Sequence, residues 1–175
     1  MGDFEQLFSA DCKRYGGMIA DRWTRAFHYY FRKQSTTKNK LLKWYYRERY
    51  KRICNARGIE LKGTVSIGKG FCVYHPYTIT INPDAVLGEN VNVHKGVTIG
   101  QENRGKRKGA PQIGNKVWIG INATIVGKIT IGDDVLIAPN TFVNCDIPAH
   151  SVVVGNPCRI IHNENATKGY VDNEA

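Results

Sequence analysis

The sequence contains no run of eighteen apolar residues, so no segment reads as a membrane-spanning helix. It also lacks the cysteine pattern of a stapled or zinc-bound fold. The five cysteines, Cys12, Cys54, Cys72, Cys145 and Cys158, are odd in number, scattered and without a C-x-x-C pair. That excludes a regular disulfide framework and points to a reducing cytoplasm. The opening residues MGDFEQLFSADCKRYGG carry acids and no long apolar core, and Gln6 stands where a myristoylation signal has Ser or Thr. Neither a secretory leader nor an N-terminal lipid is expected. Acidic side chains are scarce in the first third: five face fourteen Lys or Arg, so nine of the ten excess positive charges fall within residues 1–58.

Interleaved with those cations are Trp23, Phe27, Tyr29, Tyr30, Phe31, Trp44, Tyr45, Tyr46 and Tyr50. Such a segment can pack its aromatic face on the rest of the domain while Arg and Lys stay wet, or it can make a peripheral contact with an anionic membrane surface. Nucleic acid is not expected as a partner. Apolar residues at three- and four-residue intervals predict helices from Phe4 to about Tyr15, from Met18 to about Lys33 and from Lys40 to about Ala56. Tyr15-Gly16-Gly17 and Gln34 to Thr37 read as breaks, and Arg57-Gly58 as a helix end. The expected organisation is a helical segment over 1–58, a repeat domain over 59–162 and a tail over 163–175.

After Gly58 the pattern changes its period. Branched aliphatics recur every six residues at Leu61, Ile67 and Val73, slip by two to Ile81, and continue through Leu87, Val93 and Ile99. A second slip, read as two hexads plus two residues, leads to Ile113, Ile119, Ile125, Ile131, Ile137 and Val143. Four residues after most of these aliphatics stands a small or β-branched residue, as at Ala85, Val97, Ala123 and Val135, and glycine often follows the aliphatic directly. Internal repetition of this kind predicts a stack of repeats. Six residues at about 3.3 Å each make a flat wall of roughly 20 Å, and walls of successive layers pair as parallel strands about 4.8 Å apart. Aliphatic and small residue lie an even number apart, so both point inward.

The hexads, with INPDAVLGENVNVHKGVTIG, the loop NRGKRKGAPQIG and the ending VVVGNPCRIIHN, resemble the hexapeptide-repeat acyltransferases. The likeness spans about residues 57–162. It is greatest to the branch around serine acetyltransferase and its short relatives in surface-polysaccharide gene clusters. It implies a mainly β fold, a left-handed parallel β-helix with three hexads per coil, a homotrimer, and acetyl-CoA bound in the cleft between neighbouring prisms with no metal required.

A regular prism offers no reactive pocket, so chemistry is expected at the slips. Transfer of an acetyl group to a hydroxyl needs a base, and imidazole suits that near neutrality. His75, in the first slip, is the candidate, and Glu60, fifteen residues earlier, stands where the resemblance places the carboxylate that orients the ring. His94, nineteen residues after His75 and so close to one coil away, is the rival base or an acceptor ligand, or else a solvated corner residue. His28, His150 and His162 read as structural. The resemblance places the cofactor along a prism edge near Gly100, Gly120, Ile121, Ala138 and Pro139, with Arg159 and the triplet Lys106, Arg107 and Lys108 as partners for its negative charges.

The acceptor is read from departures. Tyr74 stands where serine acetyltransferases have an aspartate that holds the amino acid, and Gly109-Ala110 where they have an Arg-His pair. An amino acid would lose its counter-charges there, whereas Tyr74 and Tyr77 offer aromatic faces for a sugar. The expectation is an acetyl-CoA-dependent O-acetyltransferase acting on a saccharide in surface-polysaccharide synthesis, with L-serine as the alternative. A zinc enzyme on the same prism needs three converging histidines, and a purely structural β-helix needs no histidine at a broken hexad.

Overall fold

In a computed structural model describing residues 2–175, the hexads wind into a parallel β-helix of about five turns, preceded by three helices. The first wall stacks Glu60–Leu61, Thr80–Ile81, Thr98–Gly100, Thr124–Val126 and Phe142–Val143. The second stacks Ser66–Ile67, Val86–Leu87, Gln112–Ile113 and Thr130–Ile131. The third stacks Cys72–Tyr74, Asn92–His94, Val117–Ile119, Val135–Ile137 and Ser151–Val154, and the antiparallel strand Arg159–His162 closes its upper end. All named walls pair in parallel, as in Leu61 with Ile81 and Ile125 with Ile99.

The sixfold aliphatics fill the interior, and none from Leu61 to Val143 is more than 8% exposed. Their companions four residues on, among them Ala85, Val97, Ala123 and Val135, are equally buried. Glycines line the edge between the second and third walls because coils pass so close there. A Cβ on Gly68 would meet the Gly88 carbonyl oxygen at 2.6 Å, and one on Gly88 would meet the Gly114 carbonyl at 2.7 Å.

The second slip corrects the count made on the sequence. Ile99 belongs to the first wall and Ile113 to the second, so one corner, not two hexads, separates them. The extra residues form an excursion in which Glu102 and Gly109 exchange backbone hydrogen bonds at 3.0 Å and Gly105–Arg107 makes a single 3₁₀ turn.

Helices α1 (Asp3–Arg14), α2 (Arg22–Thr36) and α3 (Lys40–Asn55) close the lower end of the prism. Phe27, Phe31, Tyr50 and Cys54 join one core cluster with Ile59, Leu61, Val65 and Phe71, which covers the end of the stack as a terminal cap must. α2 begins at Arg22, four residues later than the periodicity suggests, because the Asp21 carboxylate accepts the Thr24 amide at 2.7 Å and fixes the first turn there. Of the basic segment's aromatics, Trp44 and Tyr45 stay exposed beside Leu41 and Leu42 on α3, while Phe27, Phe31 and Tyr50 are buried.

A buried ionic knot fixes the helices to the first coils. Arg32 donates to both Asp11 oxygens at 2.8 Å and to the carbonyls of Ile67 and Gly68. His28 Nδ1 lies 3.2 Å from the same carboxylate, and Asp11 accepts the Phe71 amide. Burial works to raise the Asp11 pKa, but the bonds from His28 and Arg32 outweigh it and hold the carboxyl low. After His162 the tail runs back across the third wall. Asp134 takes the Ala166 and Thr167 amides, Asn92 donates to the Tyr170 carbonyl, and Arg14 donates to the Asp172 carbonyl. Among the described residues no helix is long and apolar enough to cross a membrane.

Candidate active site

The edge between the third and first walls carries most of the residues singled out above. Its corners turn through left-handed backbone at Gly58, Thr78, Gly96, Asn122 and Asn140, where φ lies between 52° and 72°. Each of the last four donates its amide to the coil below: Thr78 to Arg57, Gly96 to Tyr77, Asn122 to Lys95 and Asn140 to Ile121. Arg57, Tyr77, Lys95, Ile121 and Pro139 therefore stand in one column. Gly120 and Ala138 precede two of its members, and a Cβ on Gly120 would lie 2.7 Å from the Pro139 nitrogen, so glycine is what lets these layers close. Arg159 pairs with Val154 at the upper end of the third wall, near the top of the same edge. Four layers at about 4.8 Å make that edge about 19 Å long, a length suited to an extended pantetheine.

His75 sits at the foot of this edge because the first coil is two residues longer than the next: Glu60 pairs with Thr80, but Thr80 with Thr98. In this longer turn Pro76 is buried while Tyr77 and Thr78 are exposed. His75 takes a φ of 50°, its carbonyl accepts the Tyr77 amide at 2.8 Å, and its side chain is exposed. A cavity of about 390 Å³ opens beside it, with Tyr15, Asp21, Arg57 and Tyr77 among its walls. Cys72, three residues away, offers no competing nucleophile, since burial pushes its thiol up to about 12.

His94 has a different setting. Its ring stacks on Tyr74 with centroids 5.2 Å apart and lies 4.7 Å from Trp118, and Nε2 is buried without a partner. Burial first, and the neighbouring His75 second, lower its pKa from 6.5 to about 4. It is a neutral aromatic rung rather than a solvated corner.

Glu60 lies on the outer face of the first wall, exposed, lining a second cavity of about 930 Å³ under α3 together with Gly100, and the structure shows no hydrogen bond between it and His75. The excursion bearing Lys106, Arg107 and Lys108 is exposed and springs from the edge between the first and second walls. Gly100 and these three residues are thus one wall, roughly 20 Å, from the His75 edge of the same chain. Among the described residues no three His, Cys, Asp or Glu side chains converge as metal ligands do.

Sequence reasoning overlooks Arg57, Asp21 and Lys95. Arg57 was read only as a helix end, although it precedes Tyr77 by the same twenty residues that separate Glu60 from Thr80. Counting back one coil from Tyr77 finds it.

The repeat fold is a β-helix of hexads with one edge of small corner residues. Residues 110–145 match the family model described as bacterial transferase hexapeptide (six repeats). The chain's homologues include serine acetyltransferase 4 of Arabidopsis thaliana, 33% identical over 123 residues that make up 70% of this chain and 33% of that one. Serine acetyltransferase of Helicobacter pylori is 36% identical over 104 residues, 59% of this chain and 61% of that one. Among solved structures, Neisseria gonorrhoeae serine acetyltransferase in complex with serine superposes with a TM-score of 0.68 at 26% identity, covering 90% of this chain and 69% of that one. The chain spans less than two thirds of the length of these curated relatives.

The expectation of a saccharide acceptor is corrected by these likenesses, which are to serine acetyltransferases. The structure supplies the physical reason. Tyr74 is held between Tyr15 and His94, with ring centroids 5.6 and 5.2 Å away, and Tyr77 already carries the Arg57 guanidinium on its face. Tyr74 is thus enclosed on two sides, and one face of Tyr77 is taken.

Proposed function

We propose that the protein is an acetyl-CoA-dependent L-serine O-acetyltransferase that works as a homotrimer. The observation that carries this reading is the 36% identity over 104 residues to a protein named serine acetyltransferase. It is supported by an exposed imidazole at the foot of an edge lined by small residues. In this reading His75 takes the proton of the serine hydroxyl as its oxygen attacks the thioester carbonyl. The carbon–sulfur bond then breaks, and the departing thiolate takes the proton back from the imidazolium, giving O-acetylserine and free CoA. His94 is unsuited to that task because its Nε2 is buried between rings.

Glu60 opens the coil that His75 closes and is the carboxylate proposed to orient the ring once substrate fills the site. Gly120, Ile121, Ala138, Pro139 and Arg159 are proposed to hold the cofactor along one edge. Gly100 and Lys106 to Lys108 are proposed to come from the neighbouring chain. The test is release of CoA thiol from acetyl-CoA with L-serine. His75→Ala is expected to lower kcat by about 10² to 10⁴ while acetyl-CoA affinity changes little. Unchanged turnover in that variant removes the assignment.

A further inference from the structure

A serine acceptor brings two opposite charges into the site, and charged groups taken from water need partners. The positions expected to supply them hold Tyr74 and Gly109-Ala110. The cavity beside His75 supplies another pair. The Arg57 guanidinium carbon lies 4.1 Å from the Trp23 ring centroid and 4.6 Å from that of Tyr77. Two aromatic faces thus fix the plane of its fork before any ligand arrives. Among the described residues Arg57 forms no ion pair.

Asp21, at the start of α2, faces the same cavity. Its Oδ2 accepts both the amide and the hydroxyl of Thr24 at 2.7 Å, which fixes the carboxylate and leaves Oδ1 for another donor. Thr24 chiefly, and Arg57 in addition, keep the carboxyl below its ordinary pKa, so it is charged at neutral pH. A preset cation and a preset anion that do not quench one another border a cavity of about 390 Å³ with an imidazole at its rim. Its size falls in the range of roughly 300–1,000 Å³ found for small-molecule sites.

We infer that Arg57 and Asp21 form the receptor for the zwitterion of the acceptor amino acid, Arg57 gripping the carboxylate through its fork and Asp21 the ammonium, with the side-chain hydroxyl turned toward His75. The inference rests on the proposed serine O-acetyltransferase function and names specificity residues for it. A planar fork matches a carboxylate with two parallel hydrogen bonds, a match that lysine cannot reproduce.

The test is steady-state kinetics with L-serine, L-serine methyl ester, which lacks the carboxylate, and 3-hydroxypropanoate, which lacks the ammonium. Arg57→Gln is expected to raise the KM for L-serine about 10- to 100-fold, the loss of charge-assisted bonds, with the KM for acetyl-CoA unchanged. Wild type and Arg57→Gln should treat the methyl ester alike, and Arg57→Lys should recover part of the loss. Asp21→Asn keeps a residue that caps helices well, so the fold is retained. It should raise the KM for L-serine but not for 3-hydroxypropanoate. Equal impairment on L-serine and on the methyl ester, or no change on L-serine, overturns the receptor while leaving the serine activity of the wild type standing. A wild-type protein that releases no thiol with L-serine overturns the function itself and the receptor with it.

Discussion

His94 shows how one side chain can be legible by type and illegible by role. A histidine next to an inward aliphatic suggests a corner, yet stacking between Tyr74 and Trp118 turns the imidazole into a rung of an aromatic ladder that runs from Tyr15 to Tyr170. That setting has a thermodynamic consequence. With its pKa lowered from 6.5 to about 4 in the folded chain, the unfolded state takes up the proton first as pH falls. Stability contributed by the neutral ring is therefore full above pH 6.5 and is lost progressively as pH drops toward 4. His94→Phe keeps a stacked ring without a titrating group, so its urea midpoint should fall less than that of wild type across this window. Parallel profiles for the two proteins would count against the assignment. Arg57 was hidden for a different reason: its partners Trp23 and Tyr77 lie 34 residues upstream and 20 downstream, and it takes the packing of α2 on the first coil and the turn of that coil to bring them together.

At the scale of elements, the sixfold count locates nearly every wall because the aliphatic period is the wall itself: each inward residue must fill the same prism. Corners are less legible. Gly88 marks one correctly, and its value lies in the approach of successive backbones, since a Cβ would sit 2.5 Å from Asn115 Oδ1 and 2.7 Å from the Gly114 carbonyl carbon. Gly88→Ala is expected to destabilise the stack by about 1–3 kcal/mol, the usual range for forcing atoms into a filled interior. At about 2–4 °C for each kcal/mol in a chain of this size, the melting midpoint should fall by several degrees. A midpoint equal to wild type would mean that the corner has room which the geometry denies. The excursion after Ile99 was misread because hexad counting records phase, not identity of wall: fourteen residues suit two hexads and a slip as well as one corner with a protruding loop. The helices were legible from spacing alone, but the start of α2 is set by the Asp21 carboxylate, a bond that periodicity cannot register.

For the whole molecule, the proposed site is incomplete in one chain. His75 and the small residues Gly120 and Ala138 occupy one edge, while Gly100 and the cations of the excursion occupy another, roughly 20 Å away along a wall. Threefold association can set one chain's first edge against its neighbour's second, which a lone prism cannot do. Light scattering should give the mass of three chains, and dilution that separates them should abolish thiol release. A fully active single chain would require both edges to be unnecessary together.

The tail adds a condition on how such a molecule is made. Arg14 in α1 donates to the carbonyl of Asp172, and Asn90 in the second coil accepts the amide of Ala175. Residues that leave the ribosome early are thus fastened by residues that leave it 158 and 85 positions later. Growing from its first coil upward, the nascent prism carries an unlatched face until residues 166–175 have emerged and doubled back over it.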